Sequence, residues 1–319
     1  MQENQVYKKR RTASLFSGFK RYLPNYLGLA PFFFLYIIFI LIPMLYGVTM
    51  SFTNWSTRSR DALNFVGFDN YVYMLSGTGS VSRRFLKSLS NMIIYVPITC
   101  IIGICLALGL ALIVNQFHKR AFKFYRGAFF IPRVLPLFLC TGIWQWYISE
   151  SGLVNSALAS IGLGEGIAWA NTPGYAIAFI LIIDIWHAVG FHFIILSTGM
   201  QDISQEYFDA SKIDGASTFQ QMRLITIPLI EPLIFFCITF GIISAIQVYD
   251  IPWILTNNYD ITDIGGPNNV LLFPVMEMVL GVYRGDASGL GRSASQGVIL
   301  MSGIGLITAV RFKLRRKKV

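Results

Sequence analysis

Six stretches of the chain, 27–50, 91–114, 128–148, 175–200, 229–255 and 294–312, are almost unbroken runs of apolar residues. No other feature restricts the fold as much. About 20 apolar residues in a helix cross the roughly 30 Å hydrocarbon core of a bilayer. Backbone N–H and C=O groups must all be paired there, and a helix pairs them within one segment. The pattern therefore predicts an all-α, polytopic membrane helical bundle with six transmembrane helices. Composition agrees, because only 13% of residues are charged, against about 25% in an ordinary soluble domain. The first run is too long for the apolar region of a signal peptide. Its Pro31 and Pro43 are tolerable where neighbouring helices compensate. Gly103 and Gly109 would let the second helix approach another closely. Trp144, Trp146 and Tyr147 end the third run as an interfacial aromatic belt.

The net charge of +10 does not point to nucleic acid, because the basic residues sit beside the apolar runs. Segment 1–26 carries Lys8, Lys9, Arg10, Arg11, Lys20 and Arg21, and the tail 313–319 is also basic, with Lys317 and Lys318 near its end. The termini and segments 115–127 and 201–227 together hold 18 Lys and Arg, against 7 in the three opposite loops. That excess places both termini and segment 201–227 in the cytoplasm. The domain plan is a basic cytoplasmic segment (1–26), a membrane domain (27–312) and a basic tail (313–319). On the opposite side, 51–87 reads as a polar loop, and GLVNSALASIGL within 149–173 as a short amphipathic helix. Cys100, Cys105, Cys140 and Cys237 lie inside apolar runs without CxxC spacing, so neither a metal centre nor a disulfide framework is expected. GxxxxGK[ST], HExxH and GxSxG are absent, and the chain has three histidines. No enzyme, metal site or bound cofactor is expected.

The longest polar interruption in the second half is QDISQEYFDASKIDGASTFQQMRLITIPLIEP, 201–232. Ser204 can cap a helix whose first turn holds Gln205 and Glu206. Gly215 can end it, and Ser217 with Gln220 forms a capping box for a second short helix. Arg223 lies toward the end of that helix, and Pro228 opens the next apolar run. The spacing resembles the EAA loop of binding-protein-dependent ABC importer permeases, in the carbohydrate branch that includes the maltose permeases. That family reads E-A-A-x3-G-x9-I-x-L-P; here Asp209-Ala210-Ser211 is followed by Gly215 and by Ile225-Thr226-Ile227-Pro228 at matching spacing. Asp209, Ser211 and Ile227 depart from the motif and are conservative in size or charge. SFTNW and FVGFDNY (51–55 and 65–71) are similar to the family's first external loop. Leu255-Thr256 and Gly265-Gly266-Pro267-Asn268 match its LTxGGPxxxT pattern, with an insertion between the halves and without the final Thr.

The resemblance implies a type I importer permease fold. It implies a coupling role for Asp209, Ala210, Ser211, Asp214, Gly215, Ile225 and Pro228, with residues 201–228 docking on an ATPase. The implied partners are a second homologous permease, two ABC ATPase subunits that bind the ATP, an extracytoplasmic sugar-binding protein and membrane lipid. The implied location is a bacterial or archaeal plasma membrane.

Polar residues inside apolar runs are costly and so mark candidate sites. Asp184 and His187 lie i, i+3 on the fourth run, with Phe191 on the same face. Ser244, Gln247 and Asp250 step along the fifth, beside Tyr249 and Trp253. Hydroxyl, amide, carboxylate and aromatic groups on facing helices suit a sugar. Asp184 and His187 could equally satisfy each other and pack the bundle. In the resembled family the spans flanking the EAA loop line the sugar site, and Asp184, Phe191 and Ser244 fall at or near such positions. The expected substrate contacts are Asp184, His187, Phe191, Ser244, Gln247 and Tyr249. His192 is expected to be structural, as is Arg133, snorkelling to the cytoplasmic interface. The rival function is a proton-coupled secondary carrier using Asp184 and His187.

Overall fold

A computed structural model describes residues 22–56, 64–116, 119–163, 166–169, 172–256, 264–284 and 289–316. The basic cluster from Lys8 to Arg21, the insertion at 257–263, and Lys317 and Lys318 lie outside the described residues. The helices run in the order α1 (Tyr22–Met50), α2 (Asp69–Ser76), α3 (Ser80–Val114), α4 (Lys119–Val134), α5 (Leu137–Tyr147), α6 (Leu153–Ser160) and α7 (Pro173–Gln201). They continue as α8 (Gln205–Ile213), α9 (Thr218–Gln221), α10 (Glu231–Ile246), α11 (Asp250–Thr256), α12 (Pro274–Arg284) and α13 (Gly289–Arg316).

Among the described residues five units are long and apolar enough to cross a membrane: α1, α3, α7, α10 with α11, and α13. The pair α4–α5 passes the same test only as a unit, bent by 92°, and is the candidate for the sixth. A straight span at 128–148 is therefore corrected. Pro136 lacks an N–H and disfavours the helical region for Leu135, so α5 restarts at Leu137. The preceding helix, α4, reaches back to Lys119, so most of segment 115–127 is helical and not a connecting loop. On the far side, α3 begins at Ser80, inside the segment expected to be a polar loop. The fifth span also pauses: α10 stops at Ile246, and Gln247–Tyr249 form a turn before α11. The short helix expected within 149–173 is present as α6.

The bundle is built around α3 and α7, which share the most extensive helix–helix contact. Small residues make that approach possible: Gly103, Ala107 and Ala111 of α3 are buried. α4 crosses α7 at Gly190, where an added Cβ would lie 2.2 Å from the Phe129 carbonyl oxygen. Apolar clusters fill both halves, one around Tyr95, Phe179, Ile183 and Phe273, the other around Ala107, Phe193, Leu196 and Cys237. α1 packs on α13 and buries none of its apolar stretch. Such a surface is compatible with lipid, which is as apolar as leucine.

At the end of the bundle opposite α8 and α9, the segment 264–273 folds back on α3. Gly265, Gly266, Asn268 and Asn269 all have positive φ, between 54° and 114°, a shape that Gly and Asn adopt readily. Side chains of α3 hold it. Arg84 donates to the Asn269 side-chain oxygen (3.0 Å) and the Ile264 carbonyl (3.2 Å), and its Nε reaches Glu277 of α12 (3.0 Å). Two turns along, the Asn91 amide donates to the carbonyls of Asn269 (2.8 Å) and Leu272 (2.9 Å). Glu277 is 1% exposed and also lies 3.9 Å from Arg284, so this buried carboxylate has the cationic partners that burial requires.

Candidate functional site

Four helices enclose a polar cavity at mid-bundle. α3 contributes Thr99, α4 contributes Arg133, α7 contributes Asp184, Phe191 and His192, and α10 contributes Ser244. Gly241 leaves room between the helices, since a Cβ there would lie in van der Waals contact with Cys100 and His192. The void is about 20 Å³, enough for one water and no larger ligand.

Asp184 accepts a 2.6 Å hydrogen bond from the Tyr95 hydroxyl of α3. His187, one turn on, has different partners. Its Nδ1 lies 3.1 Å from an Arg133 guanidinium nitrogen and its Nε2 lies 3.2 Å from the Leu135 carbonyl oxygen. The guanidinium only donates and the carbonyl only accepts, which assigns His187 as the neutral tautomer with hydrogen on Nε2. Asp184 and His187 thus do not satisfy each other; each is committed to another helix. Arg133 also corrects the expectation of snorkelling: it turns inward, its guanidinium 5.5 Å from the centroid of the Phe191 ring. Phe191 packs in turn on Phe240, centroids 4.8 Å apart. His192, read from the sequence as structural, is buried, borders the cavity, and has no partner for Nδ1 among the described residues.

The six expected contacts therefore divide. Asp184, Phe191 and Ser244 meet at the cavity, and His187 stands behind it, holding Arg133. Gln247 is carried away by the end of α10 and borders a separate groove with Met278 and Gly297. Tyr249 lies in the turn and stacks on Trp253, centroids 5.3 Å apart. Sequence reasoning missed Tyr95, Thr99 and Arg133 as neighbours of the carboxylate. Tyr95 and Thr99 lie i, i+4 on an apolar helix, a polar pairing that was available as a signal.

The second feature is the projecting pair α8–α9. Ser204 caps α8, accepting from the Glu206 N–H, and Ser217 with Gln220 makes both bonds of a capping box. Gly215 has φ +75 and stands just past α8. There the Ala216 N–H reaches the Ser211 carbonyl (2.9 Å) and the Gly215 N–H reaches that of Lys212 (3.0 Å), the paired bonds of a Schellman end. Ser211 does more than tolerate a departure from alanine: its hydroxyl accepts from the Gln221 amide at 2.9 Å, tying α8 to α9. Asp209 is exposed and paired with Lys212 at 3.4 Å. Ala210 and Asp214 are exposed, Ile225 is half-buried and Pro228 is exposed. Around them stand exposed apolar side chains, Tyr207, Phe219, Leu224 and Ile213, the last 88% exposed. A patch of this kind on a polar projection marks an interaction surface.

Residues 101–265 match the family described as binding-protein-dependent transport system inner membrane component. The chain belongs to this family. It is a multi-pass membrane permease of a transport system that works with a binding protein, and not an enzyme. The permease is 29% identical to the sulfoquinovosyl glycerol transport system permease protein of Agrobacterium fabrum, over 91% of this chain and 89% of that one. It is 30% identical to the lactose transport system permease protein of Rhizobium radiobacter, over 80% and 83%. A solved bacterial alginate ABC transporter, in complex with an alginate-bound periplasmic protein, contains a chain with the same fold. The TM-score is 0.78 at 20% identity, covering 95% of the permease and 97% of that chain.

Proposed function

We propose that this permease is one of two that together enclose the membrane path of an ATP-driven importer for a sugar or oligosaccharide. One observation carries the reading: a polar cavity at membrane depth and a capped, apolar-tipped helix pair with the EAA spacing occur in the same subunit. The two relatives named above are permeases for sulfoquinovosyl glycerol and for lactose. The cavity chemistry supports cargo of that class: Asp184 accepts from hydroxyls, Ser244 donates or accepts, and Phe191 offers a flat apolar face. A void of about 20 Å³ does not admit a sugar ring, so cargo passes only when the helices part.

The chain has no phosphate-binding loop of its own. ATP is bound by two partner ATPases, and their closure reaches the helices through α8–α9, where Tyr207, Phe219 and Leu224 are free to dock. The excess of Lys and Arg on this side supports a cytoplasmic position for this end and for both termini. A sugar-binding protein then delivers cargo at the end bearing segment 264–273. A proton-coupled carrier built on Asp184 and His187 has no support, because each of these residues has a separate partner and the family is binding-protein-dependent.

The test is reconstitution in liposomes with the second permease, both ATPases and the binding protein. Uptake is expected to follow ATP. Asp184→Ala is expected to lower it about 10- to 100-fold, the worth of a hydrogen bond to a charged group, while the complex still assembles. Uptake by the chain alone under a proton gradient would overturn the reading.

A further inference from the structure

The polar cavity and the outer segment 264–273 are joined by a continuous line of contacts. Asn91 and Arg84 hold the segment by its carbonyls and by Asn269. Phe273, at its end, is 1% exposed and meets the ring of Tyr95 edge-on, centroids 4.9 Å apart. Tyr95 is itself 2% exposed, and its hydroxyl reaches Asp184 at 2.6 Å. Asn91 and Tyr95 are one turn apart on α3, so one helix face carries both the clamp on the segment and the bond to the carboxylate.

We infer that Tyr95 is a positioning residue that withholds Asp184 from cargo while segment 264–273 is seated, and releases it when that segment is lifted from α3. The inference rests on the proposed role of Asp184 in the path. Three observations fit together. An aspartate in an apolar bundle needs a donor when no cargo is present, and the Tyr95 hydroxyl is the donor that the resting state provides. The phenol ring cannot swing independently, because the Phe273 ring fills the space beside it. Phe273 in turn cannot leave without breaking the two Asn91 bonds and the Arg84 bonds. Four positive-φ residues fold the segment into a shaped plug, and in the inferred latch it moves as one packed element between seated and lifted positions. Docking of a binding protein at this end would thereby do two things together: open the outer mouth and free the carboxylate that cargo needs.

The experiment uses the complete complex in nanodiscs, without sugar or binding protein, so no cargo need be known. Asn268 is exposed, and Asn268→Cys reports seating through its rate of reaction with a bulky, water-soluble maleimide. ATP hydrolysis by the same complex reports release of the resting state. Tyr95→Phe keeps the ring against Phe273 and deletes the hydroxyl. Asn91→Ala deletes the clamp. Tyr95→Phe is expected to raise both rates roughly 2- to 10-fold, the equilibrium effect of one net hydrogen bond, and Asn91→Ala, which loses two, roughly 4- to 100-fold. The double variant should raise them by about the product until the lifted state saturates, because both changes act on one seated–lifted equilibrium. Unchanged rates in Tyr95→Phe, or a Tyr95→Phe effect on hydrolysis with none on the labelling of Asn268→Cys, would overturn the inference. A Tyr95→Phe complex that merely assembles poorly would lower hydrolysis and also count against it, with Asn91→Ala as the independent arm. Asp184→Ala separates the two readings. Lost uptake in Asp184→Ala with unchanged Tyr95→Phe rates sinks the latch alone. Normal uptake in Asp184→Ala with raised Tyr95→Phe rates sinks the path assignment alone.

Discussion

Gly215 is where the coupling segment can be tested with least ambiguity. Its φ of +75 places it in the left-handed region, and nothing lies within 4 Å of the position a Cβ would take. Any substitution there acts through backbone strain and not through a clash. Alanine in this region costs about 1–2 kcal/mol, and a β-branched valine stands near the upper end of the ~1–3 kcal/mol range for strained positions. The strain falls on the two hydrogen bonds that end α8, from Ala216 to Ser211 and from Gly215 to Lys212. Alanine should thus depopulate the native turn by roughly 5- to 30-fold and valine by up to roughly 150-fold. The segment is exposed, so the bundle itself is expected to keep its stability. The assay is transport per ATP hydrolysed in the reconstituted complex, beside the amount of ATPase that copurifies with the permease. The expected order is Gly215 above Asn above Ala above Val, because Asn tolerates the left-handed conformation. Wild-type coupling in Gly215→Val, or equal damage from Asn and Val, would refute the reasoning.

Two further outcomes follow from the helix packing and the cavity wall. Gly190→Ala forces a Cβ to 2.2 Å from the Phe129 carbonyl, a backbone contact that cannot yield cheaply; a loss of about 1–3 kcal/mol from overpacking should appear as a lower inactivation temperature of the purified complex, whereas Gly303→Ala, with nothing within 4 Å, should be silent. Arg133→Met keeps an unbranched apolar stem but strands His187 Nδ1 and removes the cation from Phe191; uptake should drop about 10-fold for a buried polar atom left unpaired, while a residue that only snorkelled would show no change.

What was legible in the sequence was whatever depends on neighbours along the chain. The capping box of Ser217 and Gln220, the Ser204 cap and the turn at Gly215 are decided within a few residues, and the structure has all three. Membrane crossing is likewise a property of one run of residues. The break in α4–α5 was less legible although Pro132 and Pro136 are both visible, because proline in a membrane span is often absorbed. Pro132 does stay within α4, and only Pro136 stops a helix. At the cavity, helical spacing placed Asp184 and Phe191 correctly on one face. It failed at Gln247, where a helix ending at Ile246 voids the arithmetic of i, i+3. Arg133 depended on the bend, and with a straight helix its inward course had no reason to be expected. The partners of Asp184 and His187 lie on other helices, and single-helix periodicity carries no information about those.

The break between α4 and α5 also sets an order of events at the ribosome. The Leu139 N–H, which would ordinarily serve the Leu135 carbonyl, bonds instead to Pro136. The carbonyl is served by His187, 52 positions later. At about 5–20 residues per second, synthesis reaches that histidine several seconds afterwards. Throughout the interval a bent 119–147 unit in lipid would carry an unpaired carbonyl, at several kcal/mol. The nascent unit therefore stays in contact with water or the insertion machinery, or remains unbent, until the helix bearing His187 arrives. Pro136 sets where the helix breaks, and the histidine that satisfies the open carbonyl is a late-arriving keystone for a span made long before.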